Sequence, residues 1–190
     1  MSNPTNLSVQ HTFTAYLEDR PGALSRVSAL LMRRNYNIIS LTVGRAGLPG
    51  ISRLTVVVEA DAAQARLVEA NLYKLVNVLR VEDVTYSPTI SRELMFVKLR
   101  GPAHARDTLE LVCAAAHARI VDETPGALIV ETVGTQRDNE ALVDKLGPFG
   151  AMEIVRTGVA AIKRGSQVLD PQPHFINAQV PTDTEMRVAQ

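Results

Sequence analysis

The stretch from Leu17 to Val43, LEDRPGALSRVSALLMRRNYNIISLTV, constrains the fold more than any other part of the chain. It reads as the end of a strand, a tight acidic turn, a helix of about four turns and the start of a second strand. Proline tolerates the first helical position, and glycine leaves room for another group to approach the backbone, so Pro21-Gly22 suits a helix entrance. Ala23, Leu24, Val27, Leu30 and Leu31 recur at helical spacing and predict one apolar face. Arg33 and Arg34 suit the negative end of the helix, and Asn35 or Asn37 can stop it in the left-handed conformation.

A helix start leaves N–H groups unpaired at the positive end of the helix dipole. The turn at Gly22, Ala23 and Leu24 therefore offers a seat for a carboxylate, and Asp19 beside it can accept from an ammonium group. A turn that meets both groups suits a free amino acid. Plain helix capping is the alternative role for Asp19.

His11 to Leu17 alternates as a half-buried strand, and Ile38 to Val43 is strand-like. The turn-rich GRAGLPG follows, and Leu54, Val56 and Val58 alternate with Thr55, Val57 and Glu59 in a third strand. Ala65, Val68, Leu72, Leu75 and Leu79 have helical spacing from Ala62 onward. Val81 and Val84 fall in a fourth strand closing near Ser87-Pro88. The pattern then begins again with a strand at Leu94 to Leu99 and a helix at Ala103 to Ala118 carrying Leu109, Val112 and Ala116 inward. Strands follow at Ile120-Val121 and Ala127 to Val133, then a helix at Gln136 to Leu146 and a last strand at Met152 to Thr157. The expectation is an α+β fold of two tandem βαββαβ units, residues 10–88 and 91–166. The proline-containing stretch 167–190 reads as a flexible tail.

Composition excludes several classes of function. Lys plus Arg and Asp plus Glu both number 20, so nothing in the charge favours nucleic acid or an anionic membrane. Aromatics are 4% with no Trp, which argues against base stacking. The polar N-terminus, the lone Cys113 and the lack of a long apolar run make a cytoplasmic protein the expectation.

No catalytic set assembles from the motifs. Cys113 and His117, four apart on a predicted helix, lack the second ligand pair of a metal site, and a buried thiol is the better reading. Gly44, Gly47 and Gly50 precede a strand rather than a helix, so they predict a hairpin and not a dinucleotide loop. Neighbouring Glu82 and Asp83 on a strand point to opposite faces and read as solvated surface.

EDRPGALSRV (Glu18 to Val27), RRNYNIISLTVG (Arg33 to Gly44) and SRLTVVV (Ser52 to Val58) resemble an ACT domain. KLVNVLRV (Lys74 to Val81), SRELMFVK (Ser91 to Lys98) and RTGVAAIKRG (Arg156 to Gly165) extend the likeness in order. Together they resemble the regulatory (small) subunit of acetolactate synthase, or acetohydroxyacid synthase. The resemblance implies two ferredoxin-like units, the first an ACT domain. It also implies a non-catalytic subunit that stimulates a thiamine-diphosphate-dependent catalytic (large) subunit and confers feedback inhibition by valine in branched-chain amino-acid biosynthesis. It assigns thiamine diphosphate, Mg and FAD to that partner and no cofactor to this chain. It implies a homodimer through ACT domains. The effector would lie between Asp19, Gly22, Ala23 and Leu24 on one side and Asn37 and Ile38 on the other. The second unit is the candidate for holding the catalytic subunit, and a free-standing ACT-domain amino-acid sensor is the alternative.

Overall fold

The computed structural model describes residues 8–100 and 106–166. The first unit runs β1 (Val9–Glu18), α1 (Ala23–Arg33), β2 (Asn37–Arg45), β3 (Ile51–Ala60), α2 (Ala62–Leu72) and β4 (Val78–Asp83). The second runs β5 (Thr89–Arg100), α3 (Arg106–Ala115), β6 (Arg119–Thr124), β7 (Ala127–Gly134), α4 (Gln136–Leu146) and β8 (Ala151–Arg156). A further short strand, β9 (Ala160–Lys163), follows. Both units form antiparallel sheets with one strand order, β2-β3-β1-β4 in the first and β6-β7-β5-β8 in the second. This is the expected pair of ferredoxin-like βαββαβ units.

The core of the first unit forms where the helices meet the sheet. Phe13, Leu17, Leu54, Val56 and Val58 pack against Val27 and Leu31 of α1 and Val68 and Leu72 of α2. In the second unit Met95, Val97, Leu99 and Val130 meet Leu109, Leu142 and Leu146. Caps fix two of the helices. Asp61 accepts from the Ala63 and Gln64 N–H groups at 2.8 Å, and Thr135 and Asp138 form the same kind of reciprocal box. Asn35 takes the left-handed conformation, φ 58°, and ends α1 as its sequence predicts.

Several boundaries differ from the sequence reading. α1 is 11 residues long and turns Ala23, Val27 and Leu31 inward, leaving Leu24 40% exposed at its first turn. α2 stops at Leu72, so Leu75 belongs to the following turn and Leu79 to β4. α3 ends at Ala115, and His117 lies beyond it with φ 54°; Cys113 and His117 therefore do not share a helix face. The start of that predicted helix at Ala103, and the tail 167–190, lie outside the described residues.

The largest difference concerns the outer face of the first sheet. Alternation puts Thr55 and Val57 on the opposite face from Leu54, Val56 and Val58, and they too are buried, at 4% and 2% exposed. The segment after β8 crosses that face, and Val159 and Ala161 close with Val57 and Val84 into a third apolar cluster. β5 has different partners along its length, since Thr89 to Arg92 pair with β9 while Glu93 to Arg100 pair with β7. Ser40 Oγ accepts from the Val159 N–H at 2.8 Å, Thr42 donates to the Thr157 carbonyl at 3.2 Å, and Lys163 pairs with Glu82. Glu82 and Asp83 are therefore both engaged rather than solvated, because Asp83 also accepts from His11 Nδ1 at 3.1 Å. His11 is 2% exposed.

Gly158 sits at the tightest point of this seam. Its φ is +80°, and an added Cβ would lie 2.5 Å from Ser40 Oγ and 2.9 Å from Thr42 Oγ1. Gly158→Ala combines left-handed strain of about 1–2 kcal/mol with overpacking of similar size, about 1–3 kcal/mol. A combined loss of about 2–5 kcal/mol in unfolding free energy is expected, read as a lower urea midpoint, and an unchanged midpoint would show that the seam is not close-packed.

Candidate functional site

The turn between β1 and α1 is built as its residues require. Gly22 has φ +83°, a conformation that side chains rarely adopt, and it stands directly before α1 with no side chain capping the helix. A Cβ there would meet nothing within 4 Å, so the glycine is needed for its backbone angle and not for a close approach. The first helical bond runs from Arg26 N–H to the Gly22 carbonyl at 3.0 Å. Ala23 N–H turns back to the Arg20 carbonyl at 3.2 Å. The N–H groups of Gly22 and Leu24 remain at the exposed mouth of the helix.

Side chains that the sequence reading did not single out hold this turn in place. Asn77, in the turn before β4, accepts from Arg26 at 2.7 Å and donates to Glu18 at 2.7 Å. The Glu18 N–H donates to the Asn77 carbonyl at 2.9 Å. The first turn of α1 is thereby tied to the end of β1 through a residue more than fifty positions away, and no local pattern signals such a bridge. Asp19 has its N–H on the Gly50 carbonyl at 2.8 Å, and its half-exposed carboxylate lies 3.6 Å from Arg45 Nε. The glycine-containing loop is thus a hairpin, as expected, and together with Asp19 it lines a cavity of about 410 Å³.

The predicted residues do not all meet within one chain. Asp19, Gly22, Ala23 and Leu24 cluster at the end of β1. Asn37 pairs with Glu59, which pairs with Gln10 at the start of β1. Asn37 and Ile38 therefore lie near the far end of the sheet, about 25 Å away at strand rise. β2, however, is the edge strand. Its last residue, Arg45, is level with Ser52 and Leu17, close to the turn.

Little else offers catalytic chemistry. Burial, with the Glu110 carboxylate adding to it, raises the Cys113 thiol above its ordinary range, which suits a packed side chain and not a nucleophile. Among the described residues no group of three or more His, Cys, Asp or Glu is placed to hold a metal ion. Among them, too, no helix is long and apolar enough to cross a membrane.

Residues 13–80 match the AHAS small subunit-like ACT domain, and residues 92–165 match the small subunit of acetolactate synthase. The acetolactate synthase small subunit of Mycobacterium leprae is 39% identical over 155 residues, covering 82% of this chain and 92% of that protein. The chain belongs to the acetolactate synthase small subunit family. The small subunit of Mycolicibacterium smegmatis is 36% identical over 165 residues, covering 87% of this chain and 95% of that one. The crystal structure of the acetolactate synthase small subunit from Thermotoga maritima is similar in fold, with a TM-score of 0.75 at 28% identity over 84% of this chain and 99% of that chain. In this member of the small subunit family, the ACT-domain match falls on the unit that carries the Asp19–Leu24 turn.

Proposed function

We propose that this chain is the non-catalytic regulatory subunit of acetolactate synthase. In this reading it stimulates a thiamine-diphosphate-dependent catalytic subunit and makes it sensitive to valine or a related branched-chain amino acid. Thiamine diphosphate, Mg and FAD belong to the catalytic partner. The observation that carries the reading is the uncapped start of α1 beside the Asp19 carboxylate, in a chain of this family. The α-carboxylate accepts from the Gly22 and Leu24 N–H groups, with the Ala23 N–H shared at the margin, and Asp19 accepts from the ammonium group.

Sheet register supports a site divided between protomers. Antiparallel pairing of two β2 edges would carry Asn37 of the partner subunit from the far end of its sheet to the level of Asp19. Ile38 of the partner subunit would then face Leu24, 40% exposed at the turn, and the two would flank a branched side chain. One methylene in such a pocket changes binding by about 1–3 kcal/mol, so valine, leucine and isoleucine compete. Binding across a dimer interface with a coupling of about 1–3 kcal/mol would alter partner activity by roughly 5- to 150-fold.

The direct test is to mix the chain with an acetolactate synthase catalytic subunit and assay pyruvate condensation with and without valine. Stimulation by the chain, and its loss on adding valine, are expected. Failure to change the partner's activity in either condition would refute the assignment.

A further inference from the structure

We propose that the chain carries a second small-molecule site, for a phosphate-bearing polyanion, between the outer face of the first sheet and the residues that follow β9. A cavity of about 670 Å³ lies there, within the usual size of small-ligand pockets. Arg45, Ala46 and Gly47 line both this cavity and the one beside the amino-acid turn, but its assignment does not rest on the reading of that turn.

Charge is concentrated in this cavity although the chain as a whole is neutral. Arg45 ends β2, Arg53 lies on β3, Arg80 on β4, and Lys163 and Arg164 come from β9 and the residue after it; all five line the space. Among the described lining residues Glu82 is the one carboxylate and Lys163 pairs with it, while Arg45 lies 3.6 Å from Asp19 outside the cavity wall. The guanidinium of Arg53 rests 5.9 Å from the centre of the Tyr16 ring, and its buried Nε has no acceptor among the described residues. A buried N–H of a charged group is costly to leave unmatched, so an oxygen supplied from the cavity would relieve it.

The donor set favours phosphate over a single carboxylate. Guanidinium groups present forked N–H pairs that match phosphate oxygens, and several of them converging from different strands suit an anion with more than one charged centre. Thr14, Tyr16 and Ser166 add hydroxyl groups to the wall. The volume leaves room for a diphosphate or for a phosphate joined to an organic body. The arrangement exists only because β9 returns across the first sheet, so each unit alone would present half of it.

Calorimetry on the full chain, without amino acid or catalytic partner, tests the site. Pyrophosphate, inorganic phosphate and succinate are titrated at matched ionic strength into the unaltered chain, Arg53→Met and Arg164→Met. Pyrophosphate is expected to bind saturably at one site per chain, more tightly than phosphate and far more tightly than succinate. Each substitution should weaken it by about tenfold or more. Absence of saturable pyrophosphate binding would overturn the proposal, and succinate binding equally well would overturn the ligand class. Undiminished affinity in Arg164→Met, an exposed position whose loss leaves both cores intact, would overturn the location even if Arg53→Met failed to fold.

Discussion

Asp19→Ala is expected to weaken binding of branched-chain amino acids by about 10- to 150-fold in calorimetry. The estimate follows from a hydrogen bond to a charged group, worth about 1.5–3 kcal/mol. Among the described residues the carboxylate pairs with the exposed Arg45 at 3.6 Å, a surface pair that is individually weak. An ammonium group held at the helix mouth would displace or share it at small cost. Equal affinities in the two proteins would show that the ligand sits elsewhere. Asn37→Ala should produce a similar loss although it lies at the opposite end of the sheet. A mixture of the two variants separates a shared site from two independent ones. If each site draws Asp19 from one protomer and Asn37 from its partner, mixed pairs regain one intact site. Tight binding absent from both pure variants would then return, and its continued absence would contradict the divided site.

Val159→Asp is expected to lower the unfolding free energy by about 3–5 kcal/mol, the usual cost of an uncompensated buried charge. Val159 is 7% exposed and packs with Val57, Val84 and Ala161, so the carboxylate would have only apolar neighbours within the cluster. Urea titration checks the size of the loss. The same geometry bears on truncation. Removing everything after Ser91 would uncover Val57 and Val84 as well as deleting the second unit, and it is not a clean way to isolate the first. A loss well under 1 kcal/mol in Val159→Asp would mean that the first sheet does not need this cover.

The element order was legible because it rests on local periodicity. Phe13, Ala15 and Leu17 alternate, Val27 and Leu31 recur at helical spacing, and Pro21-Gly22 marks the turn, so β1 and α1 fall close to their expected places. β9 was not legible as a strand. AAIK is four residues long without alternation, and its pairing partner, Thr89 to Arg92, lies some seventy positions upstream. For the same reason the alternation in β3 separates Val57 from the core face without showing what covers it, and the returning Val159 and Ala161 supply that cover. The candidate site divides along the same line. Asp19, Gly22, Ala23 and Leu24 are sequence neighbours and could be read together. The distance of Asn37 and Ile38 from them depends on sheet register, and the Glu18–Asn77–Arg26 bridge depends on tertiary contact.

The late position of β9 also sets an order of assembly during synthesis. Every strand and helix of the first unit leaves the ribosome well before Val159 and Ala161 do. At about 5–20 residues per second, the interval after β4 is roughly 4–16 s. Throughout that time the nascent first sheet presents Val57 and Val84 to whatever is nearby. Translation stalled between Asp83 and Thr157 should therefore yield a more protease-sensitive and more chaperone-bound nascent chain than one released to Ser166.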